Sequence, residues 1–461
     1  MRPAPVCSAW ARPVIRDGFI LGAASAASSP DINLSHVDAK PIAGLHPLTA
    51  DRIRGNNQVR SMHSLGEEHR RSSVIEAKYM ATKPEEIGID SERLEAVFAR
   101  AKRDVDQRVL PSAQVAVGRN GKVAGMRTFG TAVQGGVEAP ATNETLYFVF
   151  SSTKAVVAAA VWLLLEEGLL RLDERVSDII PGFGANGKDR ITVEQVLLHT
   201  AGFPYAQYAP EEWSDRSKRL EAFAKWTLDW EPGSRFEYHP TSAHWVLAEI
   251  ICRRAAVDYR AFIRERVTGP AGLDEFFLGL PPQFDSRLAE VGFVGEPVEP
   301  PGGWRDVTPE HILGFNDALV RRAGLPGGGG IGSAGELALF FQVLVNGGRT
   351  VDGRQILKPE TIDFATAVRT EDRHRDPVLD IPVNRGLSII VAGDDGNAHL
   401  RGFGRVASAR AFGHGGAGGQ IAWGDPETGI SVGYCTNGFV DWMTSARRVT
   451  AISSLAASCA L

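Results

Sequence analysis

Phe148-Val149-Phe150-Ser151-Ser152-Thr153-Lys154 leads directly into eleven consecutive apolar residues at positions 155–165, and this junction is the most informative part of the 461-residue chain. The apolar run is too short to cross a bilayer, which takes about 20 residues. Because the run has no polar face, we expect it to form a helix that is buried on all sides. The junction then places Ser151 at the N-terminus of a central helix.

Ser151 and Lys154 are three residues apart, so their side chains share one face if the segment is helical. A serine hydroxyl becomes an effective nucleophile when a base takes its proton, and a lysine serves as that base if burial lowers its pKa. Backbone N–H groups at the helix N-terminus would stabilise the oxyanion that forms. The alternative is an ordinary serine N-cap followed by a solvated lysine.

Composition argues against several other classes of function. Lys and Arg total 50 against 55 Asp and Glu, and no cationic block indicates a nucleic-acid partner. The eleven histidines lack the His-x-x-x-His spacing of a metalloprotease helix, and no Cys-x-x-Cys pair occurs among Cys7, Cys252, Cys435 and Cys459. We therefore predict no metal, no cofactor and no membrane span, and the sequence carries no signal for the oligomeric state.

Residues 1–80 differ from the rest of the chain. They lack hydrophobic periodicity and are rich in Ser, Ala, Arg and Pro. Residues 19–26 form only a weak signal-peptide core, and Met80 is the natural first residue if the start is over-extended. We expect residues 1–80 to be a leader without ordered structure, and the protein to be cytoplasmic rather than exported.

Strand-like patterns lie near both ends of the remaining chain. Residues 91–107 predict an amphipathic helix with Ser91 as its N-cap, and Asn120-Gly121 separates two strand-like runs as a hairpin turn does. Strand patterns return after about residue 385 and include residues 409–412, and residues 442–457 predict a terminal helix.

The middle of the chain is mostly helical with long loops. It includes four glycines at positions 327–330, which we interpret as a tight connection because no Lys-Ser/Thr follows them. The prediction is an α+β fold in which an antiparallel sheet flanked by helices is formed by residues 85–170 and 330–461. A mostly helical domain is inserted at residues 171–329.

Two later segments carry further chemistry. Phe236-Glu237-Tyr238-His239-Pro240 precedes a predicted helix, and a phenol at such a junction can relay a proton; the alternative is an ordinary packed tyrosine. Phe412-Gly413-His414-Gly415-Gly416-Ala417 is dense in glycine, which lets a backbone lie against a substrate and offer N–H groups to an oxyanion. The alternative for this segment is a structural turn.

Together these segments resemble the serine β-lactamase and penicillin-binding superfamily, in which Ser-x-x-Lys is a known motif. The chain looks most like class C β-lactamases and the carboxylesterases of esterase family VIII, from about Glu85 to its C-terminus. The resemblance also covers Tyr147, which precedes the Ser-x-x-Lys motif, and two further segments: Leu197-Leu198-His199-Thr200-Ala201-Gly202 and Gly328-Gly329-Gly330-Ile331-Gly332-Ser333. It implies a β-lactamase/transpeptidase-like fold.

The resemblance also implies roles for individual residues. Ser151 resembles the nucleophile that accepts the acyl group, Lys154 resembles its proton acceptor or the group that tunes Tyr238, and Tyr238 resembles a general base and acid. The implied oxyanion- or substrate-binding groups are Ser151, Ala417, His414, Gly415 and Gly416, with His199 interpreted as structural. The N–H groups of Ser151 and Ala417 would form the oxyanion hole.

Two departures from the family pattern bear on the substrate. Pro240 stands where β-lactamases have an Asn whose amide orients the antibiotic. His414 stands where they have a Lys that holds a carboxylate, and histidine is mostly neutral at pH 7. Both favour a serine hydrolase that cleaves neutral, small-molecule carboxylic esters. Phe203, Trp213, Trp226 and Trp230 lie in the helical insert and are candidates to line an acyl or alcohol pocket, and the alternative is that they are core residues. The alternatives are a β-lactamase or D-Ala-D-Ala peptidase, an acyltransferase, or a non-catalytic penicillin-binding-like module.

Overall fold

The computed structural model describes residues 74–206, 208, 212–305 and 307–461. Its strands, in chain order, are β1 Ser112–Arg119, β2 Lys122–Gln134, β3 Val137–Pro140, β4 Tyr147–Phe148, β5 Phe277–Leu278, β6 Gly292–Phe293, β7 Gly330–Gly332, β8 Arg385–Gly386, β9 Ile389–Val391, β10 Phe412–Gly416, β11 Gln420–Gly424, β12 Ser431–Thr436 and β13 Gly438–Phe439. Eight of them form one sheet in the order β3-β2-β1-β12-β11-β10-β9-β8. Adjacent strands of this sheet are antiparallel, which confirms the predicted sheet type.

The helices cover both faces of this sheet. They are α1 Ser91–Asp106, α2 Thr153–Glu166, α3 Val176–Ile179, α4 Val193–Leu197, α5 Arg216–Lys225, α6 Ser242–Ala255, α7 Tyr259–Ile263, α8 Pro309–Gly314, α9 Ala318–Ala323, α10 Ala334–Val345, α11 Pro359–Thr366 and α12 Trp442–Ala457. Ala116 of β1 packs into the core that contains α2 and α10, whereas Val115 and Val117 pack into the core that contains α1 and α12. Successive strand residues point to opposite faces, so two cores flank the sheet.

The middle of the sheet joins the two ends of the described chain. β1 pairs with β2 through a turn at Asn120 and Gly121, whose φ angles are 51° and 79°. Two consecutive positive φ angles are the signature of a type I′ hairpin turn, as the sequence predicts. On its other side β1 pairs with β12, with Ala113 opposite Thr436.

Helix α2 is the buried helix that the apolar run predicts. Every residue from Thr153 to Leu164 is buried, and the helix packs against α6 of the helical region. Trp162 donates a hydrogen bond from Nε1 to the carbonyl oxygen of Leu387 at 3.0 Å. Each fully buried Val or Leu of such a helix contributes about 1.5–3 kcal/mol relative to exposure, so the surrounding core fixes its position firmly.

Two predicted boundaries are wrong. The N-cap of α1 is Asp90 rather than Ser91, because the Asp90 carboxylate accepts the N–H groups of Glu92 and Arg93 at 2.9 and 3.0 Å. The strand predicted at residues 409–412 begins instead at Phe412 and continues through the glycines as β10. Glycine is disfavoured in strands, but here the backbone of β10 lies so close to the carbonyl of Val149 that a side chain at Gly416 would not fit.

Residues 1–73 of the predicted leader lie outside the described residues. Of the remainder, Ile75 and Tyr79 are buried in the core around α2. The inserted domain predicted at residues 171–329 contributes α3 to α9. Within the described part of the chain, no helix combines the length and the apolar character needed to cross a membrane.

Candidate active site

Ser151 lies in a single 3₁₀ turn, Phe150–Ser152, between β4 and α2. The preceding residue, Phe150, has φ 45°, in the left-handed region that non-glycine residues rarely occupy. Packing holds this conformation, because the Phe150 ring lies 4.9 Å from that of Phe315 and 5.3 Å from that of Phe439, measured between centroids. Strained backbone that its surroundings fix in this way is typical of functional positions.

Lys154 is fully buried, and its Nζ lies 3.2 Å from the Oγ of Ser151. The same nitrogen lies 2.7 Å from the carbonyl oxygen of Pro240 and 2.5 Å from that of Gly327. A neutral amine has two N–H bonds and one lone pair. When Lys154 is deprotonated, its two N–H bonds can serve the two carbonyls while its lone pair faces the hydroxyl of Ser151. This geometry suits a base that accepts the serine proton.

Gly327 is a site residue that the sequence analysis missed. The four-glycine loop was interpreted only as a tight connection, yet Gly327 accepts a hydrogen bond from Lys154 and lines the cavity beside Ser151. A Cβ at Gly327 would lie 3.0 Å from the carbonyl oxygen of Pro240, tighter than an ordinary contact. The composition of the loop was the available signal, but it does not reveal what the loop approaches.

Tyr238 lies on the loop that leads into α6, as predicted, and its ring is beside Lys154. The Lys154 Nζ is 5.0 Å from the centroid of the Tyr238 ring. The ring of His414 lies 6.0 Å from the Tyr238 ring, and that of His199 lies 4.9 Å from it, between centroids. The fold therefore gathers residues from all three sequence segments in one place.

His414 is buried in β10 and neutral near pH 7. Its Nδ1 lies 2.7 Å from the carbonyl oxygen of Gly415, which is an acceptor, so Nδ1 carries the proton. Its Nε2 lies 3.4 Å from Nη1 of Arg385, a donor. Burial, and then the charge of Arg385, holds the pKa of the imidazole well below its usual value. His414 thus accepts a hydrogen bond at Nε2 and presents no positive charge.

Arg385 is a buried cation that the sequence analysis missed. It lies in β8 with 9% of its surface exposed, and its guanidinium is 5.3 Å from the centroid of the Tyr238 ring. Burial lowers the pKa of Arg385. A positive charge at this distance favours negative charge on the phenol during proton transfer. No local pattern marks this arginine, because only the sheet brings β8, one strand beyond β9, close enough to β10 for Arg385 to reach His414.

The backbone of the glycine segment, residues 412–416, lies close to the segment that carries Ser151. Ser152 Oγ donates to the carbonyl oxygen of His414 at 2.9 Å. A Cβ at Gly416 would overlap the carbonyl oxygen of Val149, two residues before Ser151, whereas a Cβ at Gly415 would meet its nearest atoms at an ordinary 3.7 Å. Ala417, just after β10, lines the same cavity as Ser151. Glycine is therefore required at position 416 for β10 to lie this close.

A cavity of about 330 Å³ opens beside Ser151. Its walls are mainly apolar and aromatic and consist of Phe150, Ser151, Tyr208, Trp213, Pro240, Thr241, Trp245, Val307, His311, Ile312, Phe315, Leu325, Gly327, Gly328 and Ala417. No Asp, Glu, Lys or Arg is among these described lining residues. Of the four aromatic residues proposed for a pocket, only Trp213 lines it, because Phe203 and Trp226 pack against each other in the core and Trp230 lies elsewhere.

His199 belongs to a buried group of histidines behind Tyr238. Its Nδ1 accepts the backbone N–H of His239 at 3.1 Å, and its ring stacks on that of His244 at 6.0 Å between centroids. Burial, and then the charge of Arg385, holds the pKa of His199 well below its usual value. These contacts fit the structural role expected for His199, and they show that His239 and His244, which the sequence analysis passed over, form part of the same layer.

Comparisons with known proteins agree with this arrangement. The esterase/beta-lactamase LipL of Mycobacterium tuberculosis is 27% identical over 312 residues, which are 63% of this chain and 69% of LipL. A penicillin-binding protein homolog from Caulobacter crescentus has a structure that aligns with a TM-score of 0.69 at 29% identity, covering 80% of this chain and 98% of the homolog. A family VIII carboxylesterase shares the fold, with a TM-score of 0.67 at 24% identity over 79% of this chain and 98% of the esterase.

A model of a whole protein family also matches this chain over the described site and fold. The beta-lactamase family model matches residues 97–456, which include Ser151, Lys154, Tyr238 and the segment from His414 to Ala417. That match spans most of the chain and both sides of the sheet. The protein therefore belongs to the beta-lactamase family and has the β-lactamase/transpeptidase-like fold of a serine hydrolase.

Proposed function

We propose that this protein cleaves uncharged carboxylic esters through an acyl-enzyme on Ser151. The observation that supports this proposal most directly is the contact of Lys154 Nζ with the Ser151 hydroxyl, at the edge of a cavity with uncharged, aromatic walls. Such walls bind the hydrocarbon part of an ester by excluding water from it. The name of LipL, which includes both esterase and beta-lactamase, is compatible with this activity but also with the principal rival.

In the acylation step, Ser151 Oγ attacks the ester carbonyl carbon and its proton passes to the neutral Nζ of Lys154. The carbonyl oxygen becomes an oxyanion, which the backbone N–H groups of Ser151 and Ala417 stabilise. The C–O bond to the alcohol then breaks, and the phenol of Tyr238 donates the proton that the alcohol needs. Lys154 restores that proton to Tyr238, so the ester is replaced by an acyl-serine and a free alcohol.

In the deacylation step, a water molecule attacks the acyl-serine carbonyl while Tyr238 or Lys154 accepts its proton. The bond between the acyl carbon and Ser151 Oγ breaks, Oγ recovers a proton, and the carboxylic acid leaves. The nearby guanidinium of Arg385 assists whenever Tyr238 carries partial negative charge. Each group thus returns to its starting protonation state after one turnover.

The substrate preference is argued from charge. A β-lactam or a peptide C-terminus carries a carboxylate, which a cationic side chain lining the cavity would have to bind. Here His414 is neutral, and Arg385, although cationic, faces Tyr238 and His414 and is not among the residues that line the cavity. The Pro240 carbonyl accepts from Lys154, and its side chain offers no amide. A neutral ester makes none of these demands.

A panel of p-nitrophenyl esters of increasing acyl length, with nitrocefin measured alongside, tests the proposal. We expect kcat/KM for the best ester to exceed that for nitrocefin by a wide margin. Ser151→Ala should lower ester kcat on the order of 10⁶-fold with an unchanged thermal midpoint. Faster hydrolysis of nitrocefin than of any ester would overturn the preference, and full esterase activity in Ser151→Ala would overturn the assigned nucleophile.

A further inference from the structure

Arg448 connects the terminal helix to the turn that carries Ala417. It lies on α12, outside every motif of the sequence analysis, and only 1% of its surface is exposed. Its Nη2 donates to the carbonyl oxygen of Gly418 at 2.7 Å and lies 3.4 Å from Ser445 Oγ. Burying a guanidinium is costly unless it makes good hydrogen bonds. The hydrogen bond of Arg448 to a backbone carbonyl of the turn therefore indicates a role for this residue.

The turn at residues 417–419 has little rigidity of its own. Gly418 and Gly419 have φ angles of 77° and 85°, in the left-handed region. Glycine visits many other conformations at similar energy, so two glycines directly after Ala417 do not by themselves hold its N–H in one direction. An oxyanion donor is effective only if it is oriented before the charge develops. The β10–β11 pairing fixes the ends of the turn at Gly416 and Gln420, so the orientation of the peptide groups between them depends on contacts from outside the turn.

Two contacts from outside the turn hold it. A Cβ at Gly418 would lie 3.1 Å from the ring of Phe439, so the turn rests on that ring. Phe439 in turn packs edge-on against Phe150, the residue before Ser151. The apolar contact sets the distance between the turn and the nucleophile, and the hydrogen bond from Arg448 sets the direction of the Gly418 carbonyl and hence the tilt of the adjoining peptide groups.

We propose that Arg448 is a positioning residue for the oxyanion hole: its hydrogen bond to the Gly418 carbonyl holds the 417–419 turn so that the Ala417 N–H points at the developing oxyanion. This inference rests on the acyl transfer proposed above, with Ala417 as one of its two donors. Removal of a whole oxyanion donor costs about 10²–10³-fold in kcat. A donor that is loosened rather than removed should cost about 10- to 100-fold.

The experiment compares Arg448→Met with Arg448→Lys, and uses Arg447→Met as a matched control because Arg447 is the exposed neighbour on the same helix. The first readout is the rate constant for labelling of Ser151 by a fluorophosphonate, whose P=O oxygen takes the position of the oxyanion. The second is kcat and KM for p-nitrophenyl butyrate, expressed per labelled site so that misfolded molecules do not count.

We expect Arg448→Met to lower both the labelling rate and kcat by about 10- to 100-fold, with KM changed less than about threefold. Arg448→Lys should recover part of the loss, because an ammonium can still donate to Gly418. Arg447→Met should match the wild type. Unchanged labelling and unchanged kcat per site in Arg448→Met would overturn the inference and leave Arg448 with a structural role.

If Arg448→Met fails to fold, Gly419→Ala carries the test together with Arg448→Lys. A Cβ at Gly419 would overlap Nη2 of Arg448 and displace the guanidinium, but at φ 85° it also strains the turn itself, so only a loss shared with Arg448→Lys supports the inference. Wild-type labelling rates in both folded variants would overturn the inference. A wild-type protein that reacts with the fluorophosphonate but cleaves no ester would refute the proposed function, and the labelling rates would still decide the role of Arg448.

Discussion

Ser151, in the 3₁₀ turn before α2, and Lys154, in the first turn of α2, are three residues apart, whereas His414 and Ala417 come from β10 and the turn after it. The Ser152 hydroxyl meets the His414 carbonyl across a separation of 262 residues. The half of the site that holds the proposed nucleophile is therefore encoded by a short spacing in the sequence, and the half that holds the proposed oxyanion donor of Ala417 by packing of distant strands. This difference means that substitutions in the two halves should act through different mechanisms.

Lys154→Met disrupts the half of the site that Ser151 and Lys154 form, and should lower kcat more than the other substitutions compared below. It removes the lone pair beside Ser151 Oγ while keeping a long apolar stem, so we expect kcat to fall on the order of 10³-fold or more. Burst kinetics with p-nitrophenyl acetate would show whether the acylation step is the one that slows.

Lys188 provides a matched control for that substitution. It is also fully buried, and its Nζ also donates to two backbone carbonyls, those of Ala185 and Trp226. Burial lowers its pKa to about 8. Lys188→Met should change stability but leave kcat per folded molecule within about twofold of the wild type. Equal losses of kcat in both variants would mean that Lys154 acts through stability alone.

Gly416→Ala disrupts the half of the site that β10 and Ala417 form. Its Cβ would overlap the Val149 carbonyl oxygen, so β10 must move away from Ser151 and take the Ala417 N–H with it. We expect kcat to fall about 10²-fold with a smaller change in KM. Gly415→Ala is the neighbouring control, because its Cβ meets only ordinary contacts at 3.7 Å. Similar kcat values for the two variants would contradict the close approach of β10.

Glu336 is affected both by a local sequence pattern and by tertiary burial, and Glu336→Gln should have the smallest effect on activity of these substitutions. Ser333 and Glu336 form a capping box at the start of α10, which is a local pattern, but burial raises the pKa of Glu336 from 4.5 to about 8. The folded state thus binds the proton more tightly than the unfolded state does. Its contribution to stability is complete below about pH 4.5 and is lost as the pH rises through about 8.

Denaturant unfolding between pH 5 and pH 9 measures this effect. Buried histidines whose pKa values are lowered raise the stability of both proteins as the pH rises through about 6.5. The free energy of unfolding of the wild type should nevertheless fall relative to that of Glu336→Gln as the pH rises toward 8, because the amide does not ionise. Ester kcat per site should be the same in both proteins. An identical pH slope in the variant would show that another group is responsible.

Sequence reasoning located the parts of the site that depend on short spacing or on a resemblance. Ser151 and Lys154 were found from the three-residue spacing, and Tyr238 and His414 from their resemblance to a family. Arg385 and Arg448 were missed, because an arginine in sequence does not reveal whether it is buried. The contact of Gly327 with Lys154 was missed for a related reason: glycine composition signals an unusual backbone but not what that backbone approaches.

The sequence by itself determined the buried helix, the hairpin at Asn120 and Gly121, and the serine–lysine pair, because each depends on residues within one turn or one tight loop. Tertiary structure alone decided that β10 touches the backbone before Ser151, that Arg385 lies beside Tyr238, and that Arg448 reaches the Gly418 carbonyl. Those contacts depend on which distant segments share a core. Local propensities carry no information about such contacts, and burial and close packing enforce them.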